Sequence, residues 1–319
     1  MSTRAKRIIL VVAIVAFLLL LLLFMMGAAI AVGLASLGSQ AGFGEKIALI
    51  HVEGVMTAGR GSGGVFGDQV AGSERIVSML EKARKDKSVK AVVIRVNSPG
   101  GSPSAAQEIY AQINRLRAHG KRVTVSMGDV AASAAYYISC AGDRIYADPA
   151  TMTGSIGVIM QTAELHELWK KIGVDMGALT TGKYKDIGSP NRPMRPDEKE
   201  LLQGMLADIY DQFVADVAKG RKLDRGYVRD LADGRVFTGR QAQKLKLVDK
   251  VGGLQDALRA AANDAGIAGE FQVVQYDTGG LMDLLLGTPS GVAGTGESHS
   301  GLESLARKLL LTDRVMKLR

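Results

Sequence analysis

Cysteine is nearly absent: Cys140 is the single one in 319 residues. That excludes an intrachain disulfide framework and a zinc site built from cysteines. Histidine is scarce too, limited to His51, His119, His166 and His299. None of the four sits in a glycine-lined turn, so a Ser-His-Asp triad has little to build on. The 39 glycines carry no Gly-X-Y period, which excludes collagen. Charge is missing altogether between Arg7 and Glu45. With 47% hydrophobic and 23% charged residues there is material for a sizeable core, so a wholly disordered chain is excluded.

The net charge is +8. Arg4, Lys6 and Arg7 supply three of these charges, and the residues after Ser300 supply a net three more. The long middle of the chain is left nearly balanced, so nucleic acid is set aside as a partner.

Every residue from Ile8 to Met26 is apolar. A bilayer-crossing helix needs about 20 apolar residues, whereas the core of a cleaved signal peptide has about 7–15. Residues 8–35 are therefore expected to be a transmembrane anchor. The basic residues in front of it place residues 1–7 in the cytoplasm and the rest of the chain outside it. Residues 36–44 are small and flexible and read as a linker.

From 45 to 276, strand and helix patterns alternate. Strands are expected at Lys46 to Glu53, Lys90 to Val96, Arg122 to Ser126, Arg144 to Ala147, Ser155 to Met160 and Phe271 to Tyr276. Helical periods mark Ser73 to Lys85 and Ser104 to Ala118, and the alanine-rich stretch Gly128 to Ser139 reads as a helix opening from a tight turn. Further helices are expected at Glu164 to Ile172, Pro196 to Lys219, Arg225 to Ala232, Gly239 to Lys244 and Leu254 to Ala265. This alternation argues for one α/β domain, with its chemistry on the turns that follow strands. Residues 277–319 read as a flexible tail, in which Leu302, Leu305, Leu309 and Leu310 recur at the spacing of a short amphipathic helix.

Three features of the domain could carry chemistry. The turn Asn97-Ser-Pro-Gly-Gly follows an apolar strand, and the N–H groups of Gly100 and Gly101 could face a reacting carbonyl as an oxyanion hole; a plain strand-to-helix turn is the alternative. Ser133, in Asp129-Val-Ala-Ala-Ser-Ala-Ala, lies among small residues that let a substrate backbone approach; a residue chosen for tight packing is the alternative. A serine nucleophile needs a base, and without a suitable histidine that leaves Lys183 and Lys185 in the glycine-bounded stretch Thr181-Gly-Lys-Tyr-Lys-Asp-Ile-Gly-Ser. A lysine serves as base only when neutral, which desolvation favours.

Taken together, these stretches resemble the signal peptide peptidase A family, membrane-bound bacterial serine proteases with a Ser/Lys dyad. The resemblance is carried by Asn97-Ser-Pro-Gly-Gly-Ser, Met127-Gly-Asp-Val-Ala-Ala-Ser, Ala147-Asp-Pro-Ala-Thr-Met-Thr-Gly-Ser-Ile-Gly-Val, Lys183-Tyr-Lys-Asp-Ile-Gly-Ser-Pro and Asp233-Gly-Arg-Val-Phe-Thr-Gly-Arg-Gln-Ala, in collinear order from about Lys46 to Ala262. It implies a crotonase/Clp-protease-like spiral of ββα units behind the transmembrane helix. It also implies that Ser133 is the nucleophile, Lys185 rather than Lys183 the base, Gly100 with Gly101 the oxyanion hole, and Ser155 the residue that orients the lysine. Neither metal nor cofactor is required. The family has Gly-Gly after the nucleophile where this chain has Ala134-Ala135.

The resemblance further implies an endopeptidase in the bacterial inner membrane. Its partners would be cleaved signal peptides and other small, apolar unfolded peptides. Longer members of the family carry two tandem copies, with the serine and lysine of one site on different copies. A single-copy chain is thus expected to form a homo-oligomeric ring. Two rivals remain: a crotonase-like acyl-thioester enzyme, which would need neither Ser133 nor Lys185, and a non-catalytic membrane scaffold.

Overall fold

A computed structural model describes residues 17–27, 45–61 and 70–276. The chain divides into two units, Met1–Gly44 and Glu45–Arg319. In the first, residues 17–27 form helix α1, with every side chain exposed. The rest of the expected anchor 8–35 lies outside the described residues, as do residues 1–7, the linker 36–44 and the tail 277–319. Among the described residues no helix is long and apolar enough to cross a membrane.

The second unit is built on a parallel sheet. Its strands β1 (Lys46–Glu53), β4 (Val89–Ser98), β5 (Arg122–Ala132), β6 (Arg144–Ala147), β9 (Lys250–Val251) and β10 (Gln272–Gln275) lie in the order β10-β1-β4-β5-β6-β9. A short strand β7 (Met152–Gly154) runs parallel to the end of β5, and β8 (Val236–Thr238) pairs antiparallel with β7, so the sheet is mixed. Strands β2 (Val55–Thr57) and β3 (Val70–Gly72) form a separate parallel pair.

The helices are α2 (Ser73–Lys85), α3 (Pro103–Ala118), α4 (Ala134–Ser139), α5 (His166–Lys171), α6 (Pro196–Arg221), α7 (Arg225–Leu231), α8 (Gly239–Lys244) and α9 (Leu254–Asp264). Both faces of the central strands are covered. Along β1, side chains alternate: Ile47 and Leu49 meet Leu258 and Ala261 of α9, while Ala48, Ile50 and Val52 join the larger core with α2, α3, α4 and α6. A strand buried on both faces reads as a continuous apolar run, which is why Ala91 to Ile94 in β4 run without a polar residue between Lys90 and Arg95. Each fully buried Ile or Leu contributes roughly 1.5–3 kcal/mol, so these two layers dominate stability.

Two expectations are corrected. The helix expected over Gly128 to Ser139 is strand as far as Ala132, and only Ala134–Ser139 is helical. Alanine favours a helix, but tertiary pairing overrides it, because Val130, Ala131 and Ala132 take partners in β7. The pairing of β4 with β5 slips between Val96↔Met127 and Ser98↔Ala131, leaving extra residues on β5. Side chains satisfy the backbone there: the Val130 N–H donates to Asn97 Oδ1 at 3.1 Å, and Thr151 Oγ1 donates to the Gly128 carbonyl at 2.7 Å. The strand expected at Ser155 to Met160 is the second correction. The strand is Met152–Gly154, and it stops where Ser155 turns to a φ of 50°.

Candidate active site

Three carboxyl-end segments of the sheet converge: the turn after β4, the end of β5, and the end of β7. Ser133 stands between β5 and α4 with φ 55° and ψ −124°. A non-glycine residue with positive φ is strained, and the surroundings hold it there. Its N–H donates to the Gly154 carbonyl at 2.8 Å, and its carbonyl accepts from the Tyr137 N–H at 2.9 Å. The sharp turn leaves Ser133 half-buried at the amino end of α4, lining a cavity of about 100 Å³.

Gly100 and Gly101 pack against this serine and against β2. A Cβ on Gly100 would lie 2.8 Å from Ser133 Cβ, and one on Gly101 would lie 2.1 Å from the Met56 carbonyl oxygen. Only glycine fits at either place. The turn is pinned by two bonds to Met56: its N–H donates to the Gly100 carbonyl, and its carbonyl accepts from the Ser102 N–H, each at 2.8 Å. The Gly100 N–H is already used, donating to the buried Ser98 Oγ at 3.1 Å. The Gly101 N–H has no acceptor among the described residues, and neither has the Ala134 N–H at the first turn of α4. Gly101, Ser133 and Ala134 all line the same cavity. The sequence singles out Gly100 as donor; the geometry leaves Gly101 and Ala134 available. Ala134 was not foreseen, because its contribution is a backbone N–H that no side-chain pattern marks. Of the two methyls that replace the family's Gly-Gly, only that of Ala134 borders the cavity, since Ala135 is packed in the core.

Lys183 and Lys185 lie on the stretch between α5 and α6. Lys183 Nζ makes an ion pair with Asp197 at 2.8 Å, and that contact raises its pKa, which keeps it protonated. Lys185 is exposed, and its Nζ has no partner among the described residues. It does not line the Ser133 cavity, and among the described residues no hydrogen bond joins it to Ser133. The residues flanking Lys185 are firmly held. Arg192 grips Asp186 through two bonds of 2.8 Å and also binds Glu198, whose carboxylate is buried and accepts from the Arg195 N–H at 3.0 Å. The guanidinium of Arg192 holds both carboxyls below the usual carboxylate range. Ser155 follows Gly154, the residue whose carbonyl takes the Ser133 N–H; its own N–H donates to the Arg235 carbonyl at 2.9 Å.

Among the described residues no group of His, Cys, Asp or Glu could hold a metal ion. Cys140 is buried, and burial pushes its thiol up to about 12, so it is not a nucleophile.

Comparison with known proteins places the chain in a family. The profile of peptidase family S49 matches residues 115–268, and that of Clp protease matches residues 66–162. The mixed α/β sheet is therefore of the Clp-protease type. The chain is 35% identical over 288 residues to a protein of Methanocaldococcus jannaschii named as a protease, covering 88% of this chain and 92% of that one. It is 35% identical to a signal peptide peptidase SppA of Enterococcus faecium, covering 76% and 71% of the two chains. A chloroplastic serine protease SPPA of Arabidopsis thaliana is 34% identical over 81% of this chain, which spans only 39% of that longer protein. With such identity over nearly the full length of a relative, the chain belongs to peptidase family S49, as a serine endopeptidase of the signal peptide peptidase A type.

Proposed function

We propose that this endopeptidase is membrane-anchored and uses Ser133 as nucleophile with Lys185 of a neighbouring copy as base. The observation that carries the reading is a half-built site: Ser133 shares its cavity with Gly101 and Ala134, whose N–H groups have no acceptor among the described residues, while Lys185 stands exposed on a different segment and does not line that cavity. The segment that bears Lys185 supports the reading. Ile159, Met160, Leu168, Ile172, Val174, Met176, Leu179 and Tyr184 are all exposed there, and α5 buries none of its residues. An apolar band of this length normally marks a surface that another protein covers. A second copy docking on it would carry Lys185 into a drier setting, which favours the neutral amine that a base requires.

In the reaction, Lys185 Nζ takes the proton of Ser133 Oγ as the oxygen attacks the peptide carbonyl carbon. The carbonyl oxygen becomes an oxyanion that accepts from the Gly101 and Ala134 N–H groups. The C–N bond breaks as Lys185 returns its proton to the leaving amine. Water, deprotonated by the same lysine, then cleaves the acyl-serine ester. The Ser155 hydroxyl has no protein acceptor among the described residues, and it is suited to orient the amine. The substrates are cleaved signal peptides and other small, apolar unfolded peptides, met outside the cytoplasm beside the bilayer.

Mixing tests the shared site. Ser133→Ala and Lys185→Ala chains should each be inactive on a fluorogenic peptide, and co-assembled mixtures should recover part of the activity. If the mixtures stay inactive while each variant still assembles, the dyad lies within one chain. Fluorophosphonate labelling that survives Ser133→Ala would remove Ser133 as nucleophile.

A further inference from the structure

Lys183 and Lys185 stand two residues apart, yet only one of them is paired with a carboxylate. Lys183 Nζ meets Asp197 at 2.8 Å, a contact that raises its pKa and holds it charged. Lys185 is followed directly by Asp186, but both oxygens of that carboxylate are taken by Arg192, through Nε and Nη2 at 2.8 Å each. We propose that Arg192 keeps Lys185 free to act as a base by withholding the Asp186 carboxylate from its amine. The inference rests on Lys185 being the base, and it makes Arg192 a positioning residue rather than a catalytic one.

Three observations support it. First, geometry: the guanidinium is fixed from two sides. While one edge holds Asp186, Nη1 and Nη2 also donate to the two oxygens of Glu198, at 2.8 and 2.5 Å. Glu198 is buried and is itself held by the Arg195 N–H. A planar fork bound in this way cannot turn and release Asp186. Second, chemistry: a carboxylate within about 4–6 Å favours the charged form of an amine, and more strongly where water is excluded. A charged amine cannot take the proton of Ser133 Oγ. Lys183 shows what becomes of a lysine on this stretch when a carboxylate is open to it. Third, the other charged groups are engaged or set apart. At the start of α6, Asp197 is held by Lys183, and Glu198 by Arg192 and Arg195. Helix α5 is tied to the stretch through Trp169 and Asn191. On it Glu167 pairs with His166 and Lys170, Lys171 is exposed, and Glu164 just before it lies 3.2 Å from His166. Asp175 is ten residues ahead of Lys185 in the chain. The Ser133 cavity, which the amine approaches in the proposed reaction, has no charged residue in its lining. Asp186 is thus the carboxylate whose state matters.

The test is the pH dependence of kcat/KM on a fluorogenic peptide, measured with the full chain in detergent. Arg192→Gln leaves Asp186 unneutralised, so the rising limb of the profile should move up by about one pH unit or more. Activity at neutral pH should then fall about 10-fold while the alkaline plateau is largely kept. Adding Asp186→Asn removes the freed charge and returns the local balance to that of wild type, so the limb should return as well. A clamp that merely holds the stretch together would lower activity by the same factor at every pH, and the second change would not restore it. Such a uniform loss, a limb that Arg192→Gln leaves in place, or a limb that the double variant does not bring back would overturn the proposal. Should Arg192→Gln fail to fold, as Trp169 fluorescence would show, Asp186→Asn alone decides. It should stay active with its limb at or below the wild-type position, and an upward move or a loss at every pH would overturn the proposal. Lys185→Ala, run in parallel, keeps the two readings apart. If it is inactive and the limb does not move, only the role of Arg192 fails; if it cleaves like wild type, the base assignment fails with it.

Discussion

A methyl group on Gly101 would have to occupy the position of the Met56 carbonyl oxygen, 2.1 Å from where its carbon would sit. Backbone cannot yield as a side-chain tip can, so Gly101→Ala must push β2 and the turn apart. We expect kcat/KM to fall about 100-fold or more, the usual effect of losing one oxyanion donor, with a stability loss of about 1–3 kcal/mol from overpacking. Peptidase assays alongside urea unfolding would check both; a variant with full activity would remove Gly101 as donor. How much of the site the sequence reveals differs from residue to residue. The doubled glycine of Asn97-Ser-Pro-Gly-Gly is conspicuous in a string of letters. Ser133 is not, since an alanine-flanked serine is ordinary packing material, and only its place in a collinear set of motifs marks it out. The free N–H of Ala134 and the engagement of the Gly100 N–H by Ser98 are facts of backbone direction, and residue identity does not encode them.

Among the elements, those whose pattern and ends both carry signals were legible. The helix α8 lies on the expected Gly239–Lys244, capped by a Thr238–Gln241 box, and β1, α2 and β6 also lie on their expected residues. The end of β5 was not legible, because its partner β7 and the Asn97 and Thr151 side chains that stabilise it lie far off in sequence. The stretch between α5 and α6 shows the reverse case: almost no regular structure, yet a dense ion network. Asp186 and Glu198 have pKa values lowered by Arg192, so in the unfolded chain both would bind protons more readily. Their contribution is complete above the unfolded carboxylate range, about 4, and is lost as pH falls through the lower folded values. Trp169, the single tryptophan, donates from Nε1 to Asn191 Oδ1 at 3.0 Å and reports on this stretch. Its fluorescence should change on acidification below about pH 4, before far-UV circular dichroism does. Arg192→Met should move that change to higher pH; an unaltered profile would mean that the network does not hold the stretch.

At the scale of the whole molecule, the exposed apolar residues between Ile159 and Tyr184 contribute little to the fold of one chain, so they can be charged without unfolding it. The double variant Ile172→Glu/Leu179→Glu should keep the wild-type melting temperature. It should sediment as a smaller species and lose peptidase activity, since the proposed shared site would lose the copy that supplies Lys185. Analytical ultracentrifugation and an activity assay decide this, and a variant that still sediments and cleaves like wild type would exclude this surface as the interface. The order of strands has a different consequence. β1 is flanked by β4 on one side and by β10 on the other, with Lys46 opposite Gln272. Among the described residues, β1 is the first strand of this sheet to be made and β10 the last, so the first waits for the last. Until residue 275 has been made, β1 offers an open edge to any passing strand. A chain cut short before β10 would thus be more prone to aggregation than its small loss of sequence suggests.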